Sequence, residues 1–303
     1  MSLGDLVERG AGRVVEHAAF GARTTYRVGG TVQALVTLAT HADLEELGPL
    51  MANAGLPIFM LGNGSNLLVA DGEHAVLGVH LVGEFAGLDL ADVDDHVIVR
   101  AGAGLDLPVA ARRLASEGIV GFEWAVGVPG TFGGAVRMNA GGHGSDMAAS
   151  LVEVEVWRAG VVTTLASDAL HLGYRTTSLG TDQMVLSATL RLGRGDSARS
   201  LEQIRSIVRW RRDHQPGGAN AGSVFRNPPG DHAGRLIENA GCKGLRVGTA
   251  AVSEKHANFI IADSHGSADD VYALITVIRA RVLASSGVTL QCEHRFLGFQ
   301  DES

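Results

Sequence analysis

Two sets of residues have types and spacing suited to chemistry. The first set is backbone. LGNGSNLL (61–68) follows a strand-like run, and its Gly62, Asn63, Gly64, Ser65 and Asn66 can turn successive N–H groups to one side as an anion nest. A diphosphate is the natural guest. A longer stretch, GFEWAVGVPGTFGGAVRMNAGGHGSD (121–146), puts eight glycines into 26 positions. Its Pro129–Gly130 turn and Gly133–Gly134 pair suit backbone pressed against a flat or charged ligand, with Arg137, Asn139 and His143 as polar contacts. The second set is lone polar side chains: Tyr174 and Arg175 in strand-like LGYRTTSL, Ser223 in AGSVFRNPPGD, and Glu293 in LQCEHRFLGF. A cation, a hydroxyl and a carboxyl on separate segments are the parts of a charge-stabilising, proton-transferring site. Taken singly, each feature also reads as a tight turn, a packed crossover, a turn hydroxyl or a surface ion pair.

Other chemistries lack their signatures. A GxGxxG fingerprint would need glycine at Leu67, and GAGLDL (102–107) fails in the same way at Leu107, so a dinucleotide fits while a Rossmann domain does not. Neither GxSxG, HExxH nor GxxxxGK[ST] occurs. Cys242 and Cys292 lie fifty positions apart without Cys/His clustering, which predicts two buried apolar residues and no metal site. A net charge of -8 gives no footprint for nucleic acid or an anionic membrane. The acidic N-terminus and the lack of ~18 uninterrupted apolar residues predict a soluble, cytoplasmic protein.

These groups must be held by more than one substructure, since 303 residues exceed the ~100–200 of one domain. The first third alternates strands (31–40, and 57–71 with its loop) with a helix capped by Thr40 and stopped by Gly55; Asp106 is a candidate cap for the next helix. From 151 the text becomes strand-rich, with a hairpin across Arg158 to Gly160 and another strand at QMVLSATLRLG. Ser200 opens a helix ending in RWRRDHQPGG, where the domain boundary falls. The cleanest helix has Ser267 as cap, Val271, Leu274, Ile275, Ile278 and Val282 on one face, and Gly287 after its end.

The phrases TTYRVGG (24–30), LGNGSNLLVAD (61–71), VGVPGTFGGAVRMNAGGHG (126–144), YRTTSL (174–179), AGSVFRNPPGDHAGRLIENAGCKGLRVG (221–248), SEKHANFI (253–260) and CEHRFLGF closely resemble the UDP-N-acetylenolpyruvoylglucosamine reductases of peptidoglycan precursor synthesis. The likeness runs in order from about residue 20 to 299. It implies an α+β fold: a vanillyl-alcohol-oxidase-type FAD-binding part of two subdomains (1–82 and 83–205), then a C-terminal α+β substrate-binding domain (206–303). By the same resemblance Gly62, Asn63, Gly64, Ser65, Asn66, Gly127, Val128, Pro129, Gly130, Thr131, Gly133, Gly134, Asn139 and Gly144 would hold non-covalent FAD. Arg175, Ser223 and Glu293 would be catalytic, and Tyr174, Arg226 and Asn227 would bind substrate.

The implied reaction uses NADPH and FAD to reduce UDP-N-acetylglucosamine enolpyruvate to UDP-N-acetylmuramate, with hydride to C3 and a proton to C2. Arg175 and Glu293 would stabilise the enolate carboxylate and Ser223 would deliver the proton. The enzyme is expected to be a monomer. Thr177 stands where the family commonly has serine, and Arg226 where lysine is frequent. Only 49 positions separate Tyr174 from Ser223 (223 − 174), too few for the extra tyrosine-bearing loop of the longer class. The alternatives are an oxidase of the same fold, with a covalent flavin on a histidine such as His143, and a non-catalytic nucleotide-sugar binder.

Overall fold

The computed structural model describes residues 2–299. By compactness the chain forms two units: Met1–Glu16, Gln33–Asn63 and Ala75–Arg211 make unit 1, and His17–Val32, Gly64–His74 and Arg212–Ser303 make unit 2.

Unit 1 supplies most of a four-stranded sheet in the order Val14–Ala19, Thr31–Leu38, Glu73–Leu81, Ile58–Leu61, whose last two strands run parallel. Helix α1 is Leu3–Arg9 and helix α2 is His41–Ala52. Thr40 caps α2 as expected, its hydroxyl accepting from Asp43 N–H while the Asp43 carboxylate accepts in return from the Thr40 N–H. Arg13 donates to Asp43 at 2.7 Å and, with the cap bonds, holds that carboxyl down to about 2. Leu44, Leu47, Leu50 and Met51 of α2 join Val36, Leu38, Leu77 and Val79 in one core. A fully buried leucine stabilises by roughly 1.5–3 kcal/mol, so this face fixes the helix more firmly than its cap does.

An antiparallel sheet carries the rest of unit 1. Its order is Val161–Ala166, Leu151–Arg158, Met184–Arg194, His96–Gly102, Leu88–Val93. Leu151–Arg158 and Val161–Ala166 form the expected hairpin, with Arg158 opposite Val161. Both turn residues have positive φ, Ala159 at 48° and Gly160 at 89°, which is the geometry of a primed two-residue turn. Alanine gains nothing from that conformation, whereas asparagine and glycine tolerate it. Ala159→Asn and Ala159→Gly are therefore expected to stabilise the fold by about 0.5–1 kcal/mol, read as a raised midpoint in thermal unfolding; no rise in either would contradict the left-handed turn.

Helices α3 (Leu107–Ser116) and α4 (Phe132–Met138) follow, with α4 packed on Met184–Arg194. Helix α5 begins at Ser197, three residues before the expected Ser200, because the Asp196 carboxylate accepts from Arg199 N–H. Ser200 is instead buried and donates to Glu123 at 2.6 Å.

In unit 2, helices α6 (Ala233–Asn239) and α7 (Ala268–Ser286) accompany a small sheet of Arg246–Val247, Ala250–Val252 and Ile260–Ala262. Ser267 caps α7, the five expected apolar residues are all buried, and Gly287 closes it at φ 73°. Leu67–Val69 pairs in parallel with Arg295–Leu297. Cys242 is buried as expected, but Cys292, on the segment bridged to Phe225, is only half-buried. Among the described residues no helix is long and apolar enough to cross a membrane, and no group of three His, Cys, Asp or Glu could hold a metal ion.

Candidate active site

In unit 1 the glycine-rich segments are stitched together. Asp106 sits at the expected capping position just before α3, but its side chain makes no cap bond. Its carboxylate instead accepts from Asn63 Nδ2 at 2.5 Å, Pro108 at the second helical position having no N–H to offer it, while Leu107 N–H donates to Gly130 O at 2.9 Å. Phe132 N–H donates to Leu105 O and Gly133 N–H to Ala103 O. A Cβ on Gly62 would lie 2.6 Å from Thr131 Oγ1, so the two loops touch through the absent side chain.

These bonds leave a set of donors. In unit 1 the N–H groups of Asn63, Thr131 and Gly134 and the Thr131 hydroxyl, and in unit 2 the N–H groups of Gly64, Ser65 and Asn66 and the Ser65 hydroxyl, have no acceptor among the described residues. Unpaired donors in glycine-rich backbone are what a diphosphate requires, so the residues present fit FAD by their chemistry. Gly64 is a poor probe of that fit. It sits at φ 61°, and a Cβ there would come within 2.5 Å of Thr24 Cα, straining the fold whether or not a ligand binds. Gly134 is a clean probe, since its Cβ would meet only Thr131 Oγ1 at an ordinary 3.7 Å. Gly134→Ala is expected to keep or raise thermal stability, as alanine favours a helix over glycine by ~1 kcal/mol, while weakening FAD at least about tenfold. Flavin-fluorescence titration reads this, and unchanged FAD affinity would remove Gly134 from the cradle.

Gly127 is hemmed in by the His143 ring, 3.2 Å from where its Cβ would be; Val128 N–H donates to Ala125 O, and Pro129–Gly130 make the turn into α4. A Cβ on Gly144 would meet nothing within 4 Å. His143 packs edge-on against Trp210, ring centroids 5.2 Å apart.

Arg175 lies in a turn, not in a strand. Gly173 and Thr176 exchange both backbone bonds (3.1 and 3.2 Å), leaving Tyr174 and Arg175 at the tip. Arg175 has φ 57°, uncommon for a residue with a side chain. Its Nη2 donates to Gly141 O at 2.6 Å and its Nη1 to Asn139 O at 3.4 Å, with the guanidinium 5.2 Å from the centre of the exposed Tyr174 ring. Asn139, 2% exposed and left-handed at the end of α4, donates to Gly173 O (2.9 Å) and accepts from Ala148 N–H (2.9 Å). Arg137 donates to the carbonyls of Leu179 and Gly180. Thr177 Oγ1 donates to Leu170 O and accepts from Leu179 N–H, both at 3.3 Å. Helix α4 thus holds the Arg175 turn from both ends, which sequence reading did not reveal.

Unit 2 brings Ser223 and Glu293 onto adjacent segments. Glu293 N–H donates to Val224 O at 2.8 Å, Arg226 N–H donates to Gln291 O at 2.9 Å, and Phe225 bridges Cys292 antiparallel. Asn258 pins the Ser223 side of this ladder, accepting from Phe225 N–H (3.0 Å) and donating to Phe225 O (2.8 Å). The half-buried Ser223 hydroxyl has no partner among the described residues. Asn227 Oδ1 accepts from Ala233 N–H at 3.0 Å, capping α6 where His232 does not. The side chain of Asn66 reaches the same ladder: its Nδ2 donates to Glu293 O at 3.1 Å.

Residues 32–163 match the family model described as FAD binding domain, and residues 214–297 match UDP-N-acetylenolpyruvoylglucosamine reductase, C-terminal domain. UDP-N-acetylenolpyruvoylglucosamine reductase 2 of Symbiobacterium thermophilum is 41% identical, covering 96% of this chain and 94% of that protein. The reductase of a Synechococcus species is 40% identical over 91% of both. The crystal structure of the Thermus caldophilus reductase superposes with a TM-score of 0.80 at 35% identity, covering 92% of this chain and 97% of that one. Physcomitrella patens BBE-like 1, at 14% identity and a TM-score of 0.55, shares the fold alone, covering 96% and 90%. The fold is thus the expected α+β one, a vanillyl-alcohol-oxidase-type FAD-binding part and a C-terminal domain. With identities near 40% along nearly the whole chain, the protein belongs to the UDP-N-acetylenolpyruvoylglucosamine reductase family.

Proposed function

We propose that this protein reduces UDP-N-acetylglucosamine enolpyruvate to UDP-N-acetylmuramate with NADPH, through FAD, as a cytoplasmic monomer. The observation that carries the reading is the ladder that sets Ser223 beside Glu293, within a chain of this family. FAD, when bound, supplies the hydride exchange between NADPH and the enolpyruvyl double bond. By the family likeness, Asn63, Thr131 and Gly134 of unit 1 and Gly64, Ser65 and Asn66 of unit 2 would hold its diphosphate, their N–H donors having no acceptor among the described residues.

The chain's own task is the charge and the proton. Once C3 of the substrate gains hydride, negative charge spreads from C2 into the carboxylate. The Arg175 guanidinium, held by the Gly141 and Asn139 carbonyls, would stabilise that charge without having to reorganise. A protonated Glu293 would hydrogen-bond the same carboxylate. The Ser223 hydroxyl donates its proton to C2, and because no described residue competes for it, it stays available to the substrate. Tyr174, packed on the Arg175 guanidinium, with Arg226 and the Asn227 amide, would bind the nucleotide sugar.

Anaerobic spectroscopy tests this reading. The purified protein should be yellow, bleach with NADPH, and regain its colour with UDP-N-acetylglucosamine enolpyruvate. A protein that takes up no FAD, or whose reduced flavin is reoxidised by oxygen but not by that substrate, would overturn it.

A further inference from the structure

Unit 2 contains a line of polar groups buried in apolar surroundings. Tyr26 is 0% exposed and His294 4%. The Tyr26 hydroxyl lies 3.0 Å from His294 Nε2, His294 Nδ1 lies 3.1 Å from Asn66 Oδ1, and Asn66 Nδ2 donates to Glu293 O at 3.1 Å. A main-chain carbonyl only accepts, so Asn66 must present its NH₂ to Glu293 and its oxygen to His294. His294 then carries its proton on Nδ1, and its Nε2 lone pair accepts from the Tyr26 O–H. Burial pushes the imidazole down to about 4 and the phenol up, so both stay neutral across the physiological range. Each group has one role, and none can be reversed without leaving a buried donor or acceptor unpaired.

Apolar side chains could fill this space, so the polar line calls for a reason. It ends on the backbone of Glu293, one ladder step from Ser223, while Arg295 N–H donates to Asn66 O at 2.9 Å on the far side. Glu293 is thereby held between the Val224 carbonyl and the Asn66 amide.

We propose that Tyr26, His294 and Asn66 are positioning residues, a neutral hydrogen-bonded chain that fixes the Asn66 amide and through it the place at which Glu293 presents its carboxyl beside Ser223. This rests on the assignment of Glu293 to the reaction. A shift of ~1 Å in a positioned group can cost ~100-fold in rate.

Stopped-flow measurement of the two half-reactions on FAD-loaded enzyme tests it. His294→Val removes the donor to Asn66. It is expected to slow flavin reoxidation by saturating UDP-N-acetylglucosamine enolpyruvate by about 10- to 100-fold, leaving reduction by NADPH within about twofold. His294→Asn, whose amide nitrogen can stand near Nδ1, should recover most of that loss. Tyr26→Phe, which leaves the chain's inner bonds in place, should slow reoxidation only about threefold. In a Glu293→Gln background the His294→Val effect should shrink below about twofold. Equal loss in both half-reactions, no recovery by His294→Asn, or an undiminished effect in the Glu293→Gln background would each overturn the chain. If Glu293→Gln alone reoxidises at the parent rate, the assignment of Glu293 fails and the proposal falls with it. If that variant is slow while His294→Val is not, only the chain fails. Should His294→Val not fold, Tyr26→Phe in the same two backgrounds decides.

Discussion

Ser223→Ala is expected to leave reduction of the flavin by NADPH near the parent rate and to slow its reoxidation by the enolpyruvyl substrate by about 10³-fold. A positioned general acid contributes roughly 10²- to 10⁴-fold, and a serine, a weak acid, must owe its effect to placement and to the basicity of the enolate. The placement is firm. Asn258 holds the backbone of Phe225 on both its N–H and its C=O, and Glu293 holds Val224. Since the Ser223 hydroxyl has no partner among the described residues, its removal breaks no bond of the fold, and the loss can be read as chemical. Ser223→Cys keeps a proton donor, with a pKa of ~8.5 in the free residue, and should recover part of the rate. A Ser223→Ala enzyme slowed equally in both half-reactions would contradict the proton-donor role.

Arg175→Ala is expected to slow reoxidation by about 10²- to 10³-fold, the usual loss when a donor to a developing negative charge is removed. Arg175→Lys should recover little of this. The fork is anchored on Gly141 O and Asn139 O, and a lysine ammonium, a point charge without the planar fork, does not reproduce that anchoring geometry. An independent reading comes from the backbone. Because residue 175 is left-handed at φ 57°, Arg175→Gly should be more stable than Arg175→Ala by about 1 kcal/mol, although the two are equally slow. Chemical denaturation gives the difference. Normal reoxidation by the alanine variant would exclude Arg175 from the reaction, and equal stability would argue against the strained turn.

Local patterns were legible in the sequence, and partners were not. The Ser267 cap, the apolar face of α7 and the closing Gly287 all follow from neighbours within one or two turns, as does the hairpin at 158–161. The strand at 67–69 was legible as a strand, but nothing nearby says that it pairs in parallel with 295–297. The same distance hid the Tyr26–His294 bond, whose only local sign is one histidine in the apolar text of CEHRFLGF. Asp106 reads as a cap and does stand at the capping position, but the contact that takes its side chain to Asn63 arises only once two loops meet. LGYRTTSL, rich in strand formers, predicts a strand at Arg175; the Gly173–Thr176 exchange turns it into a tip. Among the site residues, the glycines and lone polar groups could be picked out by type, whereas the bonds that aim them join segments far apart in the chain.

The pairing of Asn66 with Glu293 across 227 residues bears on how the polypeptide matures during synthesis. Translation proceeds at roughly 5–20 residues per second, so residues 64–74 wait some tens of seconds before their partners at 292–297 exist. Throughout that interval Leu67, Leu68 and Val69, apolar and buried in the finished molecule, have no strand to lie against. An open strand of that kind invites wrong partners. This unit's slowest step should therefore be the docking of 292–297, and a nascent chain stalled before residue 292 should be sensitive to proteolysis near residue 67 and bind holding chaperones.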